Sequence, residues 1–267
     1  MAFRPSRIVA YGCSYTAGQE LADAIILNKT HDEIDAYKRK HGIHCIDGVY
    51  GNKENLYACD KLSSELAWPN YIAERFGIPC INRAEKGTSV NEFIFNIERD
   101  LITGKIEPTD LILVGLTSPV RFSWVTKFGH MMTKFVGDER WTYNSELNYA
   151  LLDTWATDCN LIWEYFKHAR HLDLLSSCMG GRLKTVMTVQ SIESIKIALP
   201  DYKHRLPWID SLKLHNLLSP ELSLSNFIED GKWDEQTHGW GHPKVEVHER
   251  YAAHIYDQLI SAGVVHD

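Results

Sequence analysis

Apolar residues fall into two rhythms along this chain. Four short runs rich in β-branched residues, Arg7 to Cys13, Pro79 to Asn82, Asp110 to Leu116 and Lys184 to Gln190, are close to continuously apolar. Runs of that length and composition fit strands buried on both faces, as in a parallel sheet. Longer stretches repeat apolar positions every three or four residues, at Trp68 to Phe76, Ser89 to Ile102, Leu147 to Leu174 and Val245 to Ile260, and these predict helices. The two kinds alternate. That implies βαβ units and the α/β class, with helices on both faces of a parallel sheet.

Two segments break the rhythm. Leu27 to Ser64 carries Gly42, Gly48, Gly51, Asn52 and Asn55 among mixed charges, the composition of a long surface excursion, and a lid is one use for it. Leu199 to Gln236 holds Pro200, Pro207 and Pro220 with scattered aromatics and leads into a histidine-rich stretch. Neither an internal repeat nor a linker divides the chain, so residues 1–267 are expected to form one domain.

Composition narrows the function classes. With 44% hydrophobic and 24% charged residues, the chain can bury a sizeable core and does not have the composition of a disordered protein. A formal charge of −7 lacks the basic excess that neutralises phosphates, so nucleic acid is not the expected partner. No run approaches the roughly 20 apolar residues that span a bilayer, and the first residues lead straight into a strand, so a cytoplasmic protein without a membrane partner is expected.

The six cysteines include no CxxC pair, which argues against a disulfide scaffold and a zinc ribbon. His41, His44, Cys45 and Cys59 are zinc-ligand types, but their spacing matches no compact site, and a polar loop is the favoured reading.

Chemistry is expected where the strands end. In a doubly wound sheet, ligands bind at the carboxyl edge, because turn amides and helix N-termini converge there. The first strand runs into Gly12-Cys13-Ser14-Tyr15-Thr16-Ala17-Gly18, which puts Ser14 at the start of a helix. A serine there is a nucleophile with amides close by for an oxyanion, or equally a helix cap. After the second strand, Gly87 can present a bare amide, within a polar run that closes on Ser89, Val90 and Asn91.

The third strand ends in Gly115-Leu116-Thr117-Ser118, where Thr117 could donate to an oxyanion. Arg121 then either holds an anionic group or fixes the loop. Near the end, His242-Pro243 follows glycine-rich sequence at a helix start. A neutral imidazole there can take the proton of a serine and return it to a leaving group. Nothing in this chemistry calls for a metal or organic cofactor.

Taken together, Gly12-Cys13-Ser14, Gly87, Gly115-Leu116-Thr117 and His242-Pro243 resemble, in order and approximate spacing, the four blocks of the SGNH (GDSL-like) hydrolases, whose patterns are GDS, a lone Gly, GxN and DxxH. The resemblance spans nearly the whole chain. It implies a flavodoxin-like three-layer sandwich, with Ser14 as nucleophile and amide donor, Gly87 as a second amide donor, Thr117 in the place of the oxyanion-hole Asn and His242 as general base. His248 matches the tail HPxxxxH. The stretch from Ala67-Trp68-Pro69 through Asn91 is also similar to SGNH-like proteins of tailed bacteriophages.

Three positions depart from the pattern: Cys13 stands for Asp, Thr117 for Asn, and Gly239 for the Asp three residues before the base. Asp234 is the candidate acid instead. The implied activity is hydrolysis of an ester through an acyl-enzyme, on a small-molecule or carbohydrate substrate carrying an acyl or acetyl group. Trp124, Trp141 and Trp208 are placed to stack on sugar rings or to fill the core. A non-catalytic binding or virion-associated module, and an acyltransferase using the same residues, are the alternatives.

Overall fold

The structure is a computed structural model, and it describes residues 3–18, 21, 63–85, 87–119, 121–125, 131–135, 158–198, 211–237 and 242–265. In chain order the elements are β1 (Arg7–Gly12), α1 (Ser14–Ala17), α2 (Trp68–Phe76), β2 (Cys80–Asn82), α3 (Val90–Ile102), β3 (Asp110–Leu116), β4 (Arg121–Val125) and β5 (Met131–Phe135). There follow α4 (Asp158–Cys178), β6 (Leu183–Met187), α5 (Ile192–Ala198), β7 (Leu217–Ser223), a 3-10 turn (Leu224–Phe227), α6 (Trp233–Gln236) and α7 (Val245–Ser261).

Five strands form a parallel sheet in the order β2-β1-β3-β6-β7, the flavodoxin-like order of a doubly wound fold. Alternate residues of each central strand face opposite sides. Val9, Tyr11, Ile112 and Val114 pack under α3, α4 and α5, where Phe93, Ile97, Ile162, Phe166 and Ile195 close the layer. Ile8, Leu111, Leu113 and Val186 face α2 and α7, met by Trp68, Ile72, Tyr251, Ile255 and Leu259. Both faces of the central strands β1 and β3 are therefore dry, which is why those strands read as continuous apolar runs.

Some expectations shift. The first strand stops at Gly12, because Cys13 turns out as the N-cap of α1. The fourth runs from Leu183 to Met187 and does not extend to Gln190; beyond it, the amide and hydroxyl of Thr188 both donate to Leu116 O, at 3.2 and 2.7 Å. The predicted helix from Leu147 is observed from Asp158 to Cys178, and its first part lies outside the described residues.

The second segment that breaks the rhythm, Leu199 to Gln236, for which no element was predicted, holds strand β7, the 3-10 turn and α6. Pro220 hid this strand, since proline has no amide for a ladder and is confined to edges and bulges. β7 is an edge strand, and its pairing jumps from Leu218 opposite Val186 to Ser223 opposite Met187, with Pro220 in the bulge. The antiparallel hairpin β4–β5 was also not anticipated.

Most of the Leu27 to Ser64 excursion lies outside the described residues. Its end does not: Ser63 Oγ donates to Asn82 O at 2.8 Å and the Ser64 amide to Ala17 O at 2.7 Å, fastening the chain beside α1. Among the described residues, no helix is long and apolar enough to cross a membrane.

Candidate active site at the carboxyl edge of the sheet

Ser14 is the first residue of α1, directly past the carboxyl end of β1, and is 2% exposed. The helix is a single turn. Thr16 and Ala17 amides both donate to Cys13 O at 2.9 Å, and Gly18, at φ 64°, ends the turn by donating its amide to Ser14 O. Only a residue tolerating the left-handed region closes a turn this tightly.

The loop after β2 is tied to this turn. The Glu85 amide and the Thr88 hydroxyl both reach Gly12 O at 3.0 Å, and Thr88 Oγ1 also lies 2.8 Å from Glu85 O. Between them the half-buried Gly87 has φ 77°, and a Cβ added there would meet nothing within 4 Å among the described residues. Asn91 lies in the first turn of α3, where the Ser89 hydroxyl donates to Asn91 Oδ1.

Thr117 follows β3 on the same edge. Its side chain is 1% exposed, and Oγ1 has no hydrogen-bond partner among the described residues. A buried donor without a partner costs stability, so a hydroxyl kept in this position is available to a bound oxygen. Ser118 Oγ donates to Gln190 Oε1 at 3.2 Å, and the Arg121 amide to Ser118 O at 3.3 Å, so the half-buried Arg121 begins β4 at the same rim.

His242 is half-buried, and its ring lies 5.2 Å from that of Tyr15, the neighbour of Ser14, at an interplanar angle of 55°. The fold thus carries the far end of the sequence to the Ser14 turn. His248 sits deeper, on the covered face of α7. Its Nδ1 accepts the Trp68 amide at 3.2 Å, so that nitrogen satisfies the first amide of α2. Asp234 stands exposed on α6 and makes no hydrogen bond or ion pair among the described residues. Gly239, Trp141 and Trp208 lie outside the described residues, as do His41, His44, Cys45 and Cys59. Among the described residues, no group of three potential ligands is placed to hold a metal ion.

A buried charge cluster behind the site escaped the sequence reading. Asp100, on α3, is fully buried; it accepts the Tyr11 hydroxyl at 2.9 Å and lies 3.4 Å from Arg83 Nε, 3.3 Å from Arg99 Nε and 3.8 Å from Lys105 Nζ. Burial, and then the bond to Asp100, hold the Tyr11 hydroxyl well above the usual tyrosine range, so it stays a donor. The cluster joins β1, the loop after β2 and the end of α3. A tyrosine in an otherwise apolar strand is the one sequence signal that pointed to a buried partner.

The chain matches no family model and no curated protein. Among solved structures it is similar to a member of the lipolytic G-D-S-L family from Veillonella parvula, with a TM-score of 0.43 at 12% identity over 94% of this chain and 96% of that one. It is also similar to a carbohydrate esterase, with a TM-score of 0.47 at 14% identity over 98% of this chain and 66% of that one. A third similar structure is a catalytic mutant of the acetylxylan esterase Axe2 from Geobacillus stearothermophilus, with a TM-score of 0.44 at 12% identity over the full length of both chains.

Proposed function

We propose that the protein is a serine hydrolase of ester bonds, acting through an acyl-enzyme on Ser14 with His242 as general base. The observation that carries this is the meeting of two distant parts of the chain: a serine opening a helix at the carboxyl edge of a parallel sheet, with the His242 ring tilted against that of the adjoining Tyr15 at 5.2 Å. In this mechanism His242 takes the Ser14 proton as Oγ attacks the ester carbonyl. The Ser14 and Gly87 amides and the Thr117 hydroxyl hold the resulting oxyanion. Collapse expels the alcohol, which takes the proton back from His242, and water then repeats the cycle on the acyl-enzyme. The substrate class is an acyl or acetyl ester of a carbohydrate or small metabolite.

Intact-mass measurement and peptide mapping after fluorophosphonate treatment test this without a guess about substrate. Wild type should gain one adduct, on Ser14, and Ser14→Ala and His242→Ala should not. A folded wild type that stays unlabelled overturns the hydrolase and supports a second reading, a binding module of the same architecture. Thr117 and Gly239, standing where the resembled pattern has Asn and Asp, motivate that second reading.

A further inference from the structure

We infer that Thr16 is the positioning residue of the Ser14 turn, its hydroxyl oxygen seated in a notch formed by Gly12 and Gly115. The inference rests on Ser14 being the reactive serine. Gly12 and Gly115 are direct partners in the β1–β3 ladder, so two positions without side chains lie next to each other at the sheet edge. A methyl group on Gly115 would come within 2.0 Å of Thr16 Oγ1 and 2.7 Å of Thr188 Cγ2. One on Gly12 would come within 2.3 Å of the same oxygen and 2.6 Å of Thr16 Cβ. Thr16 therefore fills the space both glycines leave, and its side chain is fully buried.

Its oxygen makes no hydrogen bond among the described residues, so hydrogen bonding does not account for a polar atom there. Size does. An oxygen is smaller than a methyl group, and only the smaller atom lies this close to two glycine backbones without lifting the helix. The rest of Thr16 is fixed as well: its amide donates to Cys13 O at 2.9 Å, and its carbonyl accepts Asn82 Nδ2 at 2.8 Å. With Thr16 seated, the preceding turn, and Ser14 with it, has one height above the sheet. Nucleophile placement is sensitive on this scale, since a shift of about 1 Å can cost about a hundredfold in rate.

The test compares wild type, Thr16→Val and Thr16→Ser by the kinetics of fluorophosphonate inactivation and by hydrogen exchange of the Gly18 amide, which reports the bond to Ser14 O. Valine puts a methyl in place of the oxygen, whereas serine keeps the oxygen. For Thr16→Val the maximal inactivation rate should fall about tenfold or more with reagent affinity unchanged, and Gly18 exchange should quicken about tenfold; Thr16→Ser should stay within about threefold of wild type in both. Wild-type behaviour of a folded Thr16→Val overturns the inference, as does a Thr16→Ser as impaired as the valine variant. If Thr16→Val fails to fold, Thr16→Ala, which cannot overpack the notch, takes its place, with faster Gly18 exchange expected and unchanged exchange overturning the inference. If wild type is not labelled at all, the Ser14 reaction is what fails, and Gly18 exchange alone decides the role of Thr16.

Discussion

At Thr117 the chemistry and the stability of a single hydroxyl pull apart. Buried without a partner among the described residues, it should be a burden to the fold and an asset to a bound oxyanion. Thr117→Val keeps the shape and removes the donor. In the proposed hydrolase, kcat should fall by about 10² to 10³, the usual loss for one oxyanion donor, while the unfolding midpoint holds or rises. An unchanged kcat would take Thr117 out of the reaction. Gly87 gives the converse case. Its φ of 77° lies where a side chain is strained although the described residues leave space for one, so Gly87→Ala should cost about 1–2 kcal/mol in denaturant titration. The residues at the strand ends were legible beforehand, because glycines and small polar residues stand out after apolar runs. Asp100 was not, because its partners Tyr11 and Arg83 reach it only once β1, β2 and α3 are packed.

Pairing between elements explains which edge of the sheet is clamped and which is left for the proposed chemistry. At the amino ends of β1 and β3, Arg7 and Asp110 are ladder partners. Nε of Arg7 donates to Asp110 Oδ1 at 2.9 Å and Nη2 to Oδ2 at 2.5 Å, and the Glu107 amide adds a bond of 2.7 Å. Asp110 is fully buried while Arg7 is partly open, so removing the arginine strands a buried carboxylate. Arg7→Ala should therefore cost about 3–5 kcal/mol of unfolding free energy. A loss under about 1 kcal/mol, the scale of a surface pair, would show that water replaces the guanidinium freely. At the carboxyl edge, among the described residues, Gly12, Gly87 and Gly115 stand beside the Thr16 and Thr117 hydroxyls, neither of which has a hydrogen-bond partner there, an arrangement suited to a surface that must admit a ligand. Elements were read from sequence where burial is symmetric and missed where it is not. Helix α2 came out at Trp68–Phe76 as expected, whereas β7, with one paired edge, a proline and a bulge, carries none of the continuous apolar pattern of β3.

For the molecule as a whole, the layer of α3 and α4 makes stability depend on pH through His168. This histidine lies on the partly covered flank of α4, 3.3 Å from Glu164 Oε2. Burial, followed by the charge of Lys167, lowers its pKa from the ordinary 6.5 to about 4, against the opposing pull of Glu164. The folded protein thus holds His168 neutral at pH values where the unfolded chain already binds a proton. Because the unfolded state gains that proton first, this contribution to stability is complete above pH 6.5 and is lost as pH falls from there towards 4. His168→Gln keeps a polar side chain of similar length and removes the titration. Thermal midpoints of wild type and His168→Gln, measured in steps from pH 7.5 to 4.5, should run parallel at the upper end and diverge below about pH 6.5, with wild type falling more steeply. Other acid effects are common to both proteins and cancel in the difference. Equal slopes through the whole range would mean that Glu164 offsets burial and that His168 charges as readily in the folded protein as in the unfolded chain.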